Sequence, residues 1–226
     1  VGRDPRRYNS NNIGYIAKGI LRTQEEVDAI LTKNPNYLIG GVKPQVGFMD
    51  FEDINGDGQI TEAGDATLMF DRTTPVVGFG ITFGVTYKTF RLSTNMNLSI
   101  GGKRFYDSDA RIAPTTVRNA PQFWADHWSP ENPNGKFPRA DAPLATANST
   151  FWAVNGTQSR INNMVLSYQL PKNISGKIGI PDLRFMITGT NLWNIVNPLK
   201  YKDPYTSNFG TYPTLRTISF GINASL

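Results

Sequence analysis

The chain has 226 residues, 39% of them hydrophobic, with no cysteine, one histidine and a formal net charge of +5. That is enough material for a sizeable core, but disulfides, thiolate metal sites and cysteine nucleophiles are excluded, and His127 alone cannot build a histidine-rich zinc site. The basic residues are dispersed, clustering only at Arg3, Arg6 and Arg7, so no basic patch with interleaved aromatics points to a nucleic-acid partner. No run of about 18 apolar residues marks a transmembrane helix, and the N-terminus lacks the apolar region of a signal peptide. Neither absence bears on a membrane β-barrel, whose strands are short and half apolar.

In chain order, the first strong signal is "TQEEVDAIL", where Thr23 and Glu26 form a capping box and Val27, Ile30 and Leu31 share a helical face. Next comes "DINGDGQITEAGD", residues 53–65. A calcium loop offers oxygens at its positions 1, 3, 5 and 7, glycine at 6 and an acid at 12. Here these are Asp53, Asn55, Asp57, the Gln59 carbonyl and Gly58, but position 12 is Gly64, so Asp65 or Glu62 must close the loop. The expected ligands are Asp53, Asn55, Asp57, Gln59 and Asp65, holding a structural Ca2+. No helical pattern follows, which excludes the paired helices of a calcium sensor. The bland alternative is an acidic turn using Asn and Gly for backbone conformation alone.

Beyond Pro75 the period becomes two. Phe79, Ile81, Phe83, Val85 and Tyr87 alternate with small or polar residues, and after a very tight turn near Lys88 and Thr89, Phe90, Leu92, Met96, Leu98 and Ile100 do the same. Met164, Leu166, Tyr168 and Leu170 form a third such face, Leu183, Phe185 and Ile187 a fourth, and Ile218, Phe220, Ile222, Ala224 and Leu226 a fifth. The segments are each about 9 to 11 residues, the length of a tilted membrane-crossing strand. Their polar faces hold Asn, Ser, Thr and Gly with few charges, which suits a lumen better than a solvated surface. Alternation alone fits an antiparallel sandwich equally well. Connection lengths favour the barrel: short after the first and third strands, roughly 60 and 25 residues after the second and fourth, the asymmetry of periplasmic turns and extracellular loops.

Four stretches in order carry a resemblance: "GILRTQEEVDAIL" followed by the D-x-N-x-D-G segment, "FWADHWSPENPNGKFPRA", "SRINNMVLSYQLPKNISGKIGIPDLRFMITGTNLW", and "YKDPYTSNFGTYPTLRTISFGINASL". Together they resemble the C-terminal part of SusC/RagA-family TonB-dependent outer-membrane transporters of Bacteroidetes. The terminal Leu226 departs from the aromatic residue usual at the end of such barrels.

The resemblance implies an all-β fold: about five C-terminal antiparallel strands of a large transmembrane β-barrel, with long extracellular loops and one short loop helix. Residues 1–75 are then an extracellular loop region with the helix and calcium-like loop, and 76–226 the terminal strands and loops. It further implies location in the cell outer membrane, contact with its lipid, and TonB-dependent import of oligosaccharides or peptides with a SusD-like surface lipoprotein. The family's plug and TonB-contacting segment are absent from this chain, TonB being expected to act through a missing N-terminal part, and since five strands cannot close a plugged barrel of about 22, either the chain is part of a longer polypeptide or another chain completes the barrel. No residue is expected to carry catalysis, and the chain is not an enzyme on this reading. His127 is expected to order its loop; Trp124, Trp128, Phe151, Trp152, Tyr201, Tyr205 and Tyr212 to pack the long loops or meet a ligand or partner; and Trp193 to join an interfacial aromatic girdle. The competing function is a secreted, calcium-stapled β-sandwich that binds carbohydrate.

Overall fold

The computed structural model describes residues 12–115, 119–206 and 208–225. Arg3, Arg6, Arg7 and the terminal Leu226 lie outside them. The chain forms two compact units and passes between them more than once: residues 105–115 and 119–154 gather with 12–73, while 74–104 and 155–206 belong with the C-terminal strand. The long connection folds with the N-terminal region and shares its core.

The second unit is built on one antiparallel meander: β1 (Val77–Tyr87), β2 (Phe90–Ile100), β3 (Gln158–Gln169), β4 (Asp182–Val196) and β5 (Thr217–Ser225), each paired with its sequence neighbour. The β1–β2 turn is as tight as expected and places Lys88 at φ +53°. The strand lengths depart from expectation at β4, which runs for 15 residues. It accommodates this with an irregularity: register shifts between Ile161 and Asn163 on the β3 side, opposite Asn191, whose φ is +54°, the signature of a bulge.

Register makes the alternation of each strand a property of the sheet. Val85, Leu92, Leu166, Ile187 and Phe220 pair successively across all five strands, as do Tyr87, Phe90, Tyr168, Phe185 and Ile222. The rings of Phe90 and Tyr168 lie with centroids 4.7 Å apart. This apolar face is uncovered; Phe83 is 56% and Phe220 80% exposed. In a sandwich these side chains would be buried between two sheets, so the sandwich expectation fails. A contiguous apolar face of this extent needs an apolar solvent or partner. The other face is polar, with Asn95 donating to Thr82 Oγ1 at 3.2 Å and Asn162 donating to Asn95 Oδ1 at 3.2 Å.

The first unit centres on a core of Tyr15, Leu21, Val27, Tyr37, Ile39, Phe48, Met49, Phe51 and Ile60, completed by Ala142 and Ala145 from the long connection. Helix α1 (Gln24–Lys33) starts where the capping box places it: Thr23 Oγ1 accepts from the Glu26 N–H, and Glu26 Oε2 from the Thr23 N–H. Val27 is the residue it buries fully. Contrary to the expectation of a single helix, one-turn helices also form at Glu62–Asp65, Ser108–Arg111 and Lys172–Ser175. Each is too short for hydrophobic periodicity to reveal.

Candidate functional site

The acidic loop forms as a chain of side-chain-to-backbone turns, the habit of Asp and Asn in loops. Asp53 accepts from the N–H groups of Gly56 (2.7 Å) and Gly58 (2.8 Å), Asn55 Oδ1 from Asp57 N–H (3.0 Å), and Asp57 Oδ1 from Gln59 N–H (2.7 Å). Gly56 and Gly58 sit at φ +77° and +79°, conformations glycine adopts at little cost. Ile60 is fully buried and anchors the loop to the core.

Asp65 reaches the loop from its far end but is fully buried, its Oδ1 accepting from Ile54 N–H and its Oδ2 from Thr61 N–H, both at 2.8 Å. It joins the start of the loop to its end. Glu62 opens the one-turn helix and stays exposed. Among the described residues no three His, Cys, Asp or Glu side chains gather as a metal-holding group, so a cation here would draw on Asn55 and the Gln59 carbonyl as well as carboxylates. Each turn oxygen still has a lone pair to offer, and the hard-oxygen donor set suits Ca2+.

Beside the loop, a cavity of about 530 Å³ is lined by Lys18, Ile30, Lys33, Tyr37, Asp50 and Asp53, among others. Lys18 Nζ lies 3.4 Å from Asp50 Oδ2. The Tyr37 hydroxyl is 3.1 Å from both Asp50 Oδ1 and the Phe51 carbonyl, and burial, with Asp50 adding to it, pushes that hydroxyl well above its ordinary value.

The aromatic residues divide by fate. Tyr106, Phe123, Trp124, Phe137, Phe151 and Trp152 form one cluster, with Trp124 and Trp152 centroids 5.6 Å apart. Both indoles are buried and donate to backbone carbonyls, Trp124 to Ala110 and Trp152 to Ala145. These side chains are the small core of the long connection, not a ligand platform. His127 Nδ1 lies 2.6 Å from the Trp124 carbonyl; a carbonyl only accepts, so Nδ1 donates and the imidazole orders its loop. Trp128 is buried against Gly47. Trp193 ends a register row of Ile81, Met96 and Ile161 and is half exposed. Tyr212 is exposed.

One cluster escaped the sequence reading. On the polar face of β3, Arg160 is 5% exposed. Its Nη2 is 3.6 Å from Asp203 Oδ2, and its guanidinium lies 4.8 Å from the ring centroid of Tyr205. Burial opposes ionisation of Asp203, yet the Tyr205 N–H, Thr214 and Arg160 together hold its carboxyl below the ordinary value. A charged residue among the Asn and Ser of a lumen-type face is a signal in the sequence. Its partner Asp203, in the loop between β4 and β5, is not marked by any spacing.

No family model matches the chain. TonB-dependent receptor P26 of Formosa agariphila is 28% identical over 225 residues, 92% of this chain and 22% of the relative. TonB-dependent receptor P3 of the same organism is 25% identical over 187 residues, 76% of this chain and 18% of the relative. Among solved structures, that of the RagAB peptide transporter superposes with a TM-score of 0.64 at 16% identity, covering 94% of this chain and 22% of that chain. The RagAB peptide importer in its closed-closed state gives 0.62 at 16% identity, covering 96% and 24%. The chain thus spans about a fifth of the length of the curated relatives it matches. The motif-level resemblance is borne out, and the fold is that of strands from a RagA-like β-barrel.

Proposed function

We propose that this chain is a segment of a SusC/RagA-type TonB-dependent receptor and supplies barrel wall and surface loops to an outer-membrane nutrient importer. The observation that carries this reading is the pair of apolar rows running unbroken across five antiparallel strands and left uncovered. Strands of this kind meet lipid on that face and polar material on the other. The first unit, with its capped helix and acidic loop, is the extracellular part, and Trp193 belongs to the interfacial girdle.

The solute is an oligosaccharide or a peptide, the latter supported by the peptide importers of the same fold. A SusD-like lipoprotein covers the extracellular side, and TonB acts through polypeptide outside this chain. The acidic loop holds a structural Ca2+ on Asp53, Asn55, Asp57 and the Gln59 carbonyl, closed by the remaining lone pairs of Asp65. The ion would staple the loop to the core beneath Ile60. No catalytic role is assigned to any residue.

The test is fractionation of cells expressing the longest natural polypeptide that carries this sequence, followed by affinity purification in detergent. The protein should enter the outer-membrane fraction, bring down a surface lipoprotein, and support solute uptake that stops when TonB is deleted. Recovery in the soluble fraction, or uptake indifferent to TonB, overturns the reading.

A further inference from the structure

We propose that the cavity over Arg160 is an oxyanion-binding site that takes a carboxylate or sulfate group of a solute. The cavity measures about 350 Å³ and is lined by Arg160, Asn191, Asn194, Lys202, Asp203 and Arg216, with Leu192, Pro213 and Thr214 completing it. This is enough for one small group and the atoms that carry it. Its lining holds three cationic side chains and one carboxylate.

The carboxylate does not satisfy the guanidinium. Asp203 reaches only the Nη2 corner of Arg160, at 3.6 Å, and its Oδ1 is engaged by the Tyr205 N–H at 3.0 Å. Arg160 Nε is buried and has no hydrogen-bond partner among the described residues. A buried, unpartnered donor on a charged group is costly. The Nε and Nη2 hydrogens share one edge of a planar fork, the edge that binds carboxylate, phosphate or sulfate in bidentate fashion. Tyr205 closes one face of the guanidinium and fixes the plane in which an anion must approach. Arg216 is exposed, stands at the cavity rim, and lies 6.0 Å from the Trp193 ring, adding charge without being part of the buried pair.

The site follows from this geometry whichever solute the protein carries, so it is tested apart from transport. The longest natural polypeptide carrying this sequence is purified in detergent, and its thermal unfolding is followed as sodium sulfate, then sodium acetate, replaces sodium chloride at constant ionic strength. A saturable rise in Tm is expected for one or both anions. Arg160→Gln should abolish it, and Arg216→Gln should weaken half-saturation by about threefold to tenfold, the loss of one charge contact. Asp203→Asn should tighten it, because the carboxylate that competes for Arg160 is gone. The Arg216 and Asp203 variants keep the test decisive if Arg160→Gln fails to fold. No saturable response in the unmodified protein, as when an acidic side chain from elsewhere in the polypeptide already fills the cavity, overturns the proposal. So does a response that Asp203→Asn weakens.

Discussion

A β-carbon on Gly47 would stand 2.4 Å from the six-membered ring of Trp128, and Gly47 itself sits at φ +90°. Two independent demands therefore fall on one position: a backbone conformation that disfavours any side chain, and a packed indole where that side chain would go. Gly47→Ala should destabilise the first unit by about 2–4 kcal/mol, combining the left-handed penalty with overpacking. The Gly47 carbonyl also accepts from Arg139 N–H at 2.8 Å, so the damage should reach the long connection. Hydrogen exchange in the full-length protein would read it as lost protection over residues 46–48 and 137–142. Unchanged protection there would mean that Trp128 swings aside freely.

Tyr37 provides a pH prediction. Its hydroxyl is held protonated by burial and by Asp50, above its ordinary value of 10.0. The folded state thus binds that proton more tightly than the unfolded chain does. The associated stability is complete below about pH 10 and declines as the pH rises further, since the unfolded chain gains by ionising and the folded one does not. Unfolding midpoints measured from pH 8 to 11 should fall at the alkaline end, and Tyr37→Phe should flatten that part of the curve. A Phe variant with the same alkaline slope would place its origin in another group.

Asp65 is the residue on which the acidic loop depends whether or not it is metal-bound. Both of its oxygens accept backbone N–H groups, and an amide can offer only one such oxygen. Asp65→Asn would set an NH2 donor against a buried N–H and should cost about 1–3 kcal/mol. Asp53→Ala and Asp57→Ala, further out on the loop, should lose turn hydrogen bonds and, on the calcium reading, the ion as well. On the calcium reading, EGTA lowers the Tm of the unsubstituted protein and sensitises residues 53–65 to protease, while Asp53→Ala makes the protein indifferent to EGTA. A Tm that ignores EGTA in the unsubstituted protein leaves the loop as hydrogen-bonded turns alone.

What the sequence disclosed was whatever repeats at short range. The five alternating faces, the Lys88 turn and the Thr23–Glu26 box each rest on neighbours within one element, and each is found. Pairing at long range stayed hidden. Nothing in the spacing of Ala142 and Ala145 announces that they complete a core with Val27 and Phe51. Nothing in the composition of the long loops distinguished the buried Trp124, Trp128 and Trp152 from the exposed Tyr212. The acidic loop was legible as a ligand pattern, but the inward turn of Asp65 depends on a single helical turn at Glu62–Asp65 that carries no periodic signal. Arg160 and Asp203 are separated by two strand crossings, and only the fold brings them together.

The apolar face makes the sharpest claim. Phe83 and Thr82 are adjacent in β1 but point to opposite sides: Phe83 pairs with Thr94 in the apolar register, and Thr82 with Asn95 in the polar one. If the apolar side meets lipid, Phe83→Arg places a charge in hydrocarbon at a cost of about 2–4 kcal/mol near mid-bilayer, while Thr82→Arg enters polar surroundings at much smaller cost. The two variants carry the same new charge one residue apart, so backbone propensity and net charge cancel between them. Unheated electrophoresis after urea titration of the full-length protein in liposomes would report the folded fraction. Phe83→Arg should unfold at distinctly lower urea than Thr82→Arg. Equal loss in both would assign the apolar face to a protein partner or to water, and the reverse order would turn the sheet around.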